Sequence, residues 1–146
     1  MTEPGGGGEG IEGLRVLYAE DRAEMRRALV RLLQVSGASV ATVRDGVEAT
    51  ETALAETFDL VVMDLRMPRM DGFEAARALR AGGCRVPLVA VSADTRPELR
   101  AEALAAGFDA LLAKPFGLDD LIQALQLVRD AAGLVRRAAM PSFSPA

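Results

Sequence analysis

The chain has 146 residues, of which 50% are hydrophobic and 26% are charged, and its formal net charge is -4. This is the size and composition of one globular domain with a sizeable core, without the general basic character of nucleic-acid-binding domains. The sequence contains no histidine, which excludes histidine catalysis, histidine metal ligation and a phosphohistidine on this chain, and its one cysteine excludes an intrachain disulfide.

The start of the chain has no targeting pattern. Residues Met1–Gly13 are glycine-rich and acidic, whereas a secretion signal places basic residues before an apolar stretch. No apolar run approaches the roughly 20 residues that a membrane-spanning helix needs. A single cysteine fits a reducing compartment. We therefore expect a cytoplasmic protein without membrane contact, and a flexible leader over Met1–Gly13.

In chain order, five short apolar runs predict strands, and a segment with helical spacing follows each of them. The predicted strands are Leu14–Ala19, Ser39–Val43, Leu60–Met63, Val86–Val91 and Asp109–Ala113. The predicted helices are a first one with apolar residues from Met25 to Leu33 that ends at Gly37, and then Val47–Glu56, Phe73–Ala81, Pro97–Ala106 and Leu118–Val128. This alternation indicates an α/β domain with a parallel sheet that helices cover on both faces.

The periodic pattern stops after the fifth helix. From about Arg129 the sequence is rich in Gly, Pro and Ser and shows no periodicity. We therefore expect one domain over residues 14–128 and a mobile tail over residues 129–146, with no internal repeat and no second domain. The tail is too short for a DNA-binding module.

The stretch Phe58–Gly72 carries the clearest functional signal. Its apolar strand stops at Asp64, so that a carboxylate lies at the carboxyl edge of the sheet, where open α/β folds bind their ligands. Pro68 and the Asp71–Gly72 pair predict a stiff, turned loop directly after it. We interpret Asp64 as a carboxylate that the strand and the loop hold in place.

Polar side chains also follow other strands of the predicted sheet. They are Glu20 and Asp21 after the first strand, Asp64 after the third, Ser92 after the fourth and Lys114 after the fifth. Lys114 is the only lysine in the chain, and every other basic residue is arginine. If the strand order is 2-1-3-4-5, the first, third and fourth strands are neighbours and their ends meet at one point of the sheet edge.

Three neighbouring carboxylates repel one another unless a cation lies between them. Oxygen ligands together with retained waters suit Mg²⁺. A carboxylate beside Mg²⁺, an ammonium and a hydroxyl can accept a phosphoryl group, because the metal and the ammonium neutralise the phosphoryl oxygens during in-line attack. The residues therefore predict a site that forms an aspartyl phosphate.

With these motifs in order, the sequence resembles the receiver domains of two-component response regulators. The matching elements are Glu20–Asp21, Asp64, Met67–Pro68, Met70–Asp71–Gly72, Ser92–Ala93 and Lys114–Pro115–Phe116. The resemblance extends from about Leu14 to Val128. It implies a doubly wound (βα)5 flavodoxin-like fold with a five-stranded parallel sheet in the order 2-1-3-4-5.

The resemblance also implies roles at the acidic end of the site. Asp64 would be the phosphoacceptor. Asp21 would bind Mg²⁺ directly, and Glu20 would bind it through water. The backbone carbonyl of Arg66 would be a further ligand of the metal.

Three more positions have roles by the same resemblance. Lys114 would contact the phosphoryl group and be joined to Pro115 by a cis peptide bond, and Ser92 would move toward the phosphate as the switch. The family often has Tyr or Phe at a second switch position, three residues before the lysine, and here that residue is Leu111. We also expect Arg66 and Asp94 to pair across the mouth of the site and limit the access of water.

The function that follows is a cytoplasmic receiver that takes a phosphoryl group from a partner's phosphohistidine and then changes its protein contacts. Its partners would be a sensor histidine kinase or a histidine phosphotransfer protein, and a downstream protein. It would not bind DNA directly or be an ordinary enzyme, and it would be a monomer or a phosphorylation-dependent dimer. The Met1 start favours a free-standing protein over a receiver that belongs to a hybrid kinase.

Two alternatives remain open from the sequence. A degenerate receiver could act as a constitutive interaction module, and Leu111 in place of an aromatic switch residue is compatible with this alternative. A phosphohydrolase with an aspartyl intermediate is the rival from the enzyme class. Such enzymes commonly need a second acid two residues after the nucleophile, and Arg66 at that position argues against it.

Overall fold

The computed structural model describes residues 10–94, 96–132 and 142–143 of the chain. The strands are β1 (Arg15–Ala19), β2 (Ser39–Val43), β3 (Leu60–Asp64), β4 (Leu88–Ser92), β5 (Ala110–Ala113) and β6 (Ser142–Phe143). The helices are α1 (Ala23–Val35), α2 (Gly46–Ala55), α3 (Gly72–Ala81), α4 (Pro97–Ala106) and α5 (Leu118–Ala132). Residues 1–9 of the predicted leader lie outside the described residues.

The strands form one parallel sheet in the order β2-β1-β3-β4-β5-β6. The predicted order 2-1-3-4-5 and the flavodoxin-like arrangement of five strands and five helices are thus confirmed. Because strands β1, β3 and β4 are neighbours, the residues that follow β1, β3 and β4 lie close together at the carboxyl edge.

Alternating strand residues face two separate apolar layers, as the pleat of a strand requires. Leu17, Val61 and Leu111 belong to the layer with α2, α3 and α4, whereas Val16, Val62 and Leu112 belong to the layer with α1 and α5. All five residues of β3 are buried. This double burial explains why the central strand is a continuous apolar run instead of an alternating one.

The end of the chain differs from the sequence-based expectation. Helix α5 continues to Ala132, beyond the predicted domain end at Val128, and Ser142–Phe143 pair in parallel with Leu111 and Leu112 of β5. A strand of two residues is too short to produce a period-2 pattern, so it could not be predicted from the sequence. The predicted mobile tail otherwise lies outside the described residues.

Smaller differences concern element boundaries. Strand β4 begins at Leu88 instead of Val86, and β3 includes Asp64 itself. None of the helices in the described ranges is long and apolar enough to cross a membrane.

A buried ion pair stabilises the amino edge of the sheet, opposite the strand ends discussed above. Arg80 at the end of α3 pairs with Asp109, whose carboxylate also accepts a hydrogen bond from the backbone N–H of Leu88 at 2.9 Å. The Arg80 guanidinium further donates to three backbone carbonyl oxygens, those of Gly107, Cys84 and Val86. One side chain therefore connects α3 with the loops that lead into β4 and β5.

We expect Arg80→Ala to lower the free energy of unfolding by about 3 kcal/mol, because it leaves the Asp109 carboxylate buried without its cation. Urea denaturation at pH 7 measures this difference. The control is Arg85→Ala in the same region, since Arg85 is exposed and its removal should change stability by less than about 0.5 kcal/mol. Equal effects of the two substitutions would contradict the role given to Arg80.

Candidate functional site

The structure brings the tips of β1, β3 and β5 together around one ammonium group. Lys114 Nζ lies 3.1 Å from Glu20 Oε1 and also forms an ion pair with Asp64 Oδ2. Glu20 is fully buried and Asp64 is 6% exposed. A single cation thus neutralises two buried carboxylates that come from different strands.

Glu20 is held by three donors. Its Oε1 accepts hydrogen bonds from Lys114 and from the Tyr18 hydroxyl, at 3.1 and 3.3 Å, and its Oε2 accepts one from the backbone N–H of Arg22 at 3.1 Å. Burial raises the pKa of Glu20 and the charge of Asp64 adds to this, while the Arg22 N–H and Lys114 oppose it. Both oxygens of Glu20 therefore already have protein partners.

The Lys114 ammonium and the Tyr18 phenol, which both lie beside Glu20, are held in their protonated forms. Burial alone would lower the pKa of Lys114, but its hydrogen bonds and charge interactions with Asp64 and Glu20 outweigh burial and raise it. Burial and the charges of Glu20 and Asp64 raise the pKa of Tyr18. Consequently Lys114 carries a positive charge and Tyr18 acts as a hydrogen-bond donor at neutral pH.

The loop after Asp64 is fixed by backbone contacts. Asp64 Oδ1 accepts a hydrogen bond from the Arg66 N–H at 2.8 Å, and the N–H of Gly72 donates to the Leu65 carbonyl at 3.0 Å. A Cβ at Gly72 would lie 2.7 Å from the carbonyl oxygen of Asp64. Only glycine permits this approach, so Gly72 has the structural role that its turn motif predicted.

The same loop is anchored to α2. The Gly46 N–H donates to the Met70 carbonyl at 3.0 Å, and a Cβ at Gly46 would lie 2.1 Å from that oxygen. Arg69 has a φ of 68° and pairs with Asp45 at 3.0 Å. This pair was not predicted from the sequence, although the sequence shows both an arginine beside Pro68 and the Asp45–Gly46 turn.

Helix α3 begins with a capping box that completes the loop. Asp71 accepts a hydrogen bond from the backbone N–H of Glu74, and the Glu74 side chain accepts one from the N–H of Asp71. Asp71 is therefore a capping residue, in agreement with its interpretation as part of a turn.

Two adjoining clefts open beside the buried ion pairs. A cleft of about 380 Å³ has Asp21, Asp64, Ser92 and Lys114 in its lining, and Arg66 and Asp94 line it as well. A second cleft of about 590 Å³ shares Asp21, Arg66 and Ser92 and extends to Leu99 of α4. The predicted site residues from four strand ends thus surround a common space that solvent can enter.

Ser92 lies at the end of β4 and is 4% exposed. Its Oγ accepts a hydrogen bond from the Asp94 N–H at 3.0 Å, which leaves the hydroxyl proton available to an acceptor in the cleft. Leu111, at the second predicted switch position, is 2% exposed and packs in the layer with α2, α3 and α4. The Lys114–Pro115 peptide bond is cis, as expected.

The expected pair between Arg66 and Asp94 is replaced by another one. Asp94 forms its ion pair with Arg96, at 2.8 Å, and also accepts hydrogen bonds from the backbone N–H and Nε of Arg96. These hydrogen bonds lower the pKa of Asp94, and Arg66 contributes only through its charge. Asp94 pairs with Arg96 because both the backbone N–H and the side chain of Arg96 reach its carboxylate.

The carboxylates do not converge on one point. Within the described ranges, no group of three or more acidic, cysteine or histidine side chains has the spacing of a metal site. The reason is that Glu20 turns both oxygens toward Tyr18, Arg22 and Lys114. Asp21, Asp64 and Arg66 nevertheless line one cleft, and two carboxylates, a carbonyl and several waters are a donor set that suits Mg²⁺.

We expect Lys114→Met to destabilise the protein by roughly 2–3 kcal/mol at pH 7, because Glu20 and Asp64 then face each other without a cation. Loss of the ammonium raises the pKa of Glu20 further above its usual 4.5. A group whose folded pKa is raised contributes stability below its unfolded pKa and loses it as pH rises. The deficit relative to the parent should therefore shrink toward pH 4.5, as measured by urea denaturation at several pH values.

The double variant Asp64→Asn/Lys114→Met is the control for this prediction. It removes one of the two repelling charges and should regain most of the stability that Lys114→Met loses at pH 7. A deficit that is the same at pH 4.5 and pH 7, or a double variant no better than the single one, would contradict the electrostatic explanation.

Comparisons with known proteins agree with this geometry. A family model described as response regulator receiver domain matches residues 16–126. Response regulator MprA of Mycobacterium leprae is 38% identical over 109 residues, which cover 75% of this chain and 48% of the relative. MprA of Mycobacterium avium matches to the same extent. The chain therefore spans about half the length of these relatives.

Solved structures of receivers have the same fold. The receiver domain of sensor histidine kinase PA1611 from Pseudomonas aeruginosa, with a magnesium ion coordinated in its active site cleft, is 35% identical, with a TM-score of 0.72 and coverage of 79% of this chain and 96% of that one. Chemotaxis response regulator CheY4 of Vibrio cholerae is 33% identical, with a TM-score of 0.72 and coverage of 79% and 98%. Together with the arrangement of Glu20, Asp64 and Lys114, these matches show that the chain belongs to the response regulator receiver domain family of two-component signalling.

Proposed function

We propose that this receiver domain accepts a phosphoryl group on Asp64 from a partner's phosphohistidine and then changes its contacts with other proteins. The observation that carries the proposal is the Lys114 ammonium between Glu20 and Asp64 at the floor of an open cleft. A purely structural ion pair has no need of a cleft that exposes one of its carboxylates to incoming molecules.

Asp64 has the properties of a phosphoacceptor. Its Oδ1 is oriented by the Arg66 N–H and its Oδ2 by Lys114, so the carboxylate is held in one orientation before a donor arrives. Its 6% exposure is directed to the cleft that Lys114 and Ser92 share. In the proposed reaction a carboxylate oxygen attacks the phosphorus atom of the phosphohistidine, and the imidazole leaves.

Lys114 and Ser92 are assigned to the phosphoryl oxygens. The Lys114 ammonium is already bonded to Asp64 and can neutralise charge that arrives on the same carboxylate. The Ser92 hydroxyl has a free proton to donate, since its oxygen accepts from the Asp94 N–H. Movement of Ser92 toward the phosphate would carry β4 with it, and β4 pairs with β5 at Ser92 and Ala113.

We assign Mg²⁺ to the cleft as the cofactor. Asp21, Asp64 and the backbone carbonyl of Arg66 would hold it, and Glu20 would act through water. When bound, the ion supplies positive charge that neutralises phosphoryl oxygens. A magnesium ion is coordinated in the active site cleft of the related receiver of PA1611, and the oxygen donors of the present cleft are the same kind that Mg²⁺ prefers.

The residue at the second switch position affects which movement transmits phosphorylation from the site to the surface of the domain. Leu111 is buried and lacks the ring that many receivers rotate, so we propose that signalling depends on Ser92 and on movement of α4. The face formed by α4, β5 and α5 would then present the changed surface.

The proposal also covers the partners of the domain and its cellular location. The donor would be a sensor histidine kinase or a histidine phosphotransfer protein, and the receiver of PA1611 is itself part of a sensor histidine kinase. The target would be a downstream protein, with no direct DNA or membrane contact by this domain, which would be a monomer or a phosphorylation-dependent dimer. We place the protein in the cytoplasm and do not count it as an ordinary enzyme, because its product is a binding state.

A constitutive interaction module is the second candidate function. Leu111 in place of an aromatic residue is the observation that favours it. The ion pairs of Lys114 with Glu20 and Asp64 count against it, since a module without phosphorylation has no need of them. A phosphohydrolase is disfavoured further because the residue two positions after Asp64, Arg66, brings no carboxylate to the cleft.

We expect the parent protein to gain the mass of one phosphoryl group when it is incubated with acetyl phosphate and Mg²⁺, and to gain nothing when Mg²⁺ is chelated. Asp64→Asn should gain nothing in either condition. Intact-mass spectrometry measures the change. The control is Asp59→Asn, directly before the amino end of β3, which should be phosphorylated like the parent.

A folded parent that never gains mass would favour the constitutive module. A gain that survives Asp64→Asn would show that another residue is the acceptor. A gain without metal would remove Mg²⁺ from the proposal.

We also expect phosphorylation to change amide hydrogen exchange in α4 and β5, and Ser92→Ala to reduce this change while Asp64 is still phosphorylated. The reason is that Ser92 is the group through which β4 senses the phosphate. Hydrogen-exchange mass spectrometry of phosphorylated and unphosphorylated samples measures the difference. Ser36→Ala, at the end of α1, is the control, and an equal response of both variants would eliminate Ser92 as the switch.

A further inference from the structure

Tyr18 is the one aromatic residue that β1 contributes to the site. It lies two residues before Glu20, in the layer with α1 and α5, and is 1% exposed. Its hydroxyl donates to Glu20 Oε1 at 3.3 Å. The motifs that identify the family begin at Glu20, and none of the roles described above uses Tyr18.

The hydroxyl completes a set of donors around Glu20. Lys114 and the Tyr18 hydroxyl share Oε1, and the Arg22 N–H occupies Oε2. With all three donors in place, the carboxylate is held between Lys114, the Tyr18 hydroxyl and the Arg22 N–H. If the hydroxyl is removed, Oε1 keeps a single donor, and that donor is a flexible side chain that Asp64 also attracts.

The position of Glu20 determines what Asp64 can do. While Glu20 takes part of the Lys114 charge, Asp64 keeps capacity for another cation in the cleft that it shares with Asp21. When Glu20 is free to turn, it takes a smaller share of the Lys114 charge, so that Lys114, already paired with Asp64, competes more strongly with a divalent ion for that carboxylate. A group behind the cleft can thus change the affinity of the cleft for metal.

We propose that Tyr18 is a positioning residue for the metal site: its hydroxyl holds Glu20 against Lys114 and thereby leaves Asp64 and Asp21 able to bind Mg²⁺. This inference rests on the proposed function and concerns a residue that does not touch the metal. The plain alternative is a buried tyrosine that satisfies its hydroxyl with the nearest carboxylate and has no effect on the cleft.

The test is the dissociation constant for Mg²⁺ alone, measured by isothermal titration calorimetry on the full chain. Tyr18→Phe keeps the ring and removes only the hydroxyl, and we expect it to weaken binding about tenfold. Phe108→Leu is the control, because Phe108 is fully buried two residues before β5, at the opposite end of the sheet. It should lose stability in urea and bind Mg²⁺ like the parent.

A second readout comes from the protein itself. The chain has one tyrosine and no tryptophan, so its tyrosine emission, excited at wavelengths that phenylalanine does not absorb, reports on Tyr18 alone. Because the hydroxyl is bonded to Glu20, we expect the emission of the parent to change as Mg²⁺ is added, with the same midpoint as the calorimetric titration.

The outcomes separate this inference from the proposed function. Weaker binding by Tyr18→Phe alone, together with an emission change in the parent, supports the inference. Equal binding by Tyr18→Phe and the parent, equal weakening by Phe108→Leu, or unchanged emission in a parent that binds Mg²⁺ would each overturn it. A parent that does not bind Mg²⁺ at all would overturn the metal-dependent function and the inference with it.

Discussion

The ion pairs of Lys114 with Glu20 and Asp64 are the interaction on which the site depends. Two carboxylates from neighbouring strands are buried side by side, and this arrangement is unfavourable unless a cation lies between them. The cation, Lys114, follows β5, and β4 lies between β5 and the two strands that provide the carboxylates. The β4–β5 pairing therefore matters for the charge balance of the site as well as for the fold.

The two edges of the sheet have different physical tasks. At the carboxyl edge, charged groups face an open cleft, and the loop after Asp64 is held by glycine contacts and backbone hydrogen bonds. At the amino edge, the pair of Arg80 and Asp109 is enclosed and saturated with backbone partners. Charged groups at the first edge lie beside open space, whereas the charged pair at the second edge is enclosed by the elements that it connects.

The fold could be predicted because its signals are local. Buried strands, helical spacing and glycine stops give the elements, and alternation gives a parallel sheet. The meeting of Glu20, Asp64 and Lys114 could be predicted because each lies at the end of a strand or directly after it. The partners of side chains were harder to predict from the sequence. Asp94 pairs with Arg96 instead of Arg66, since the choice between two arginines depends on the geometry of the loop. The pair of Arg69 and Asp45 and the bond of Tyr18 to Glu20 join residues whose relative placement only the folded chain reveals.

The short strand β6 changes the character of one side of the sheet. In a five-stranded receiver sheet, β5 would present unpaired backbone groups along its outer side, and such an edge invites pairing with another chain. Here Leu111 and Leu112 already have Ser142 and Phe143 beside them. A protein that recognised this domain by adding a strand at β5 would first have to displace the domain's own segment. Edge-to-edge association through the middle of β5 is suppressed for the same reason, which leaves β2 as the edge strand at the other side of the sheet.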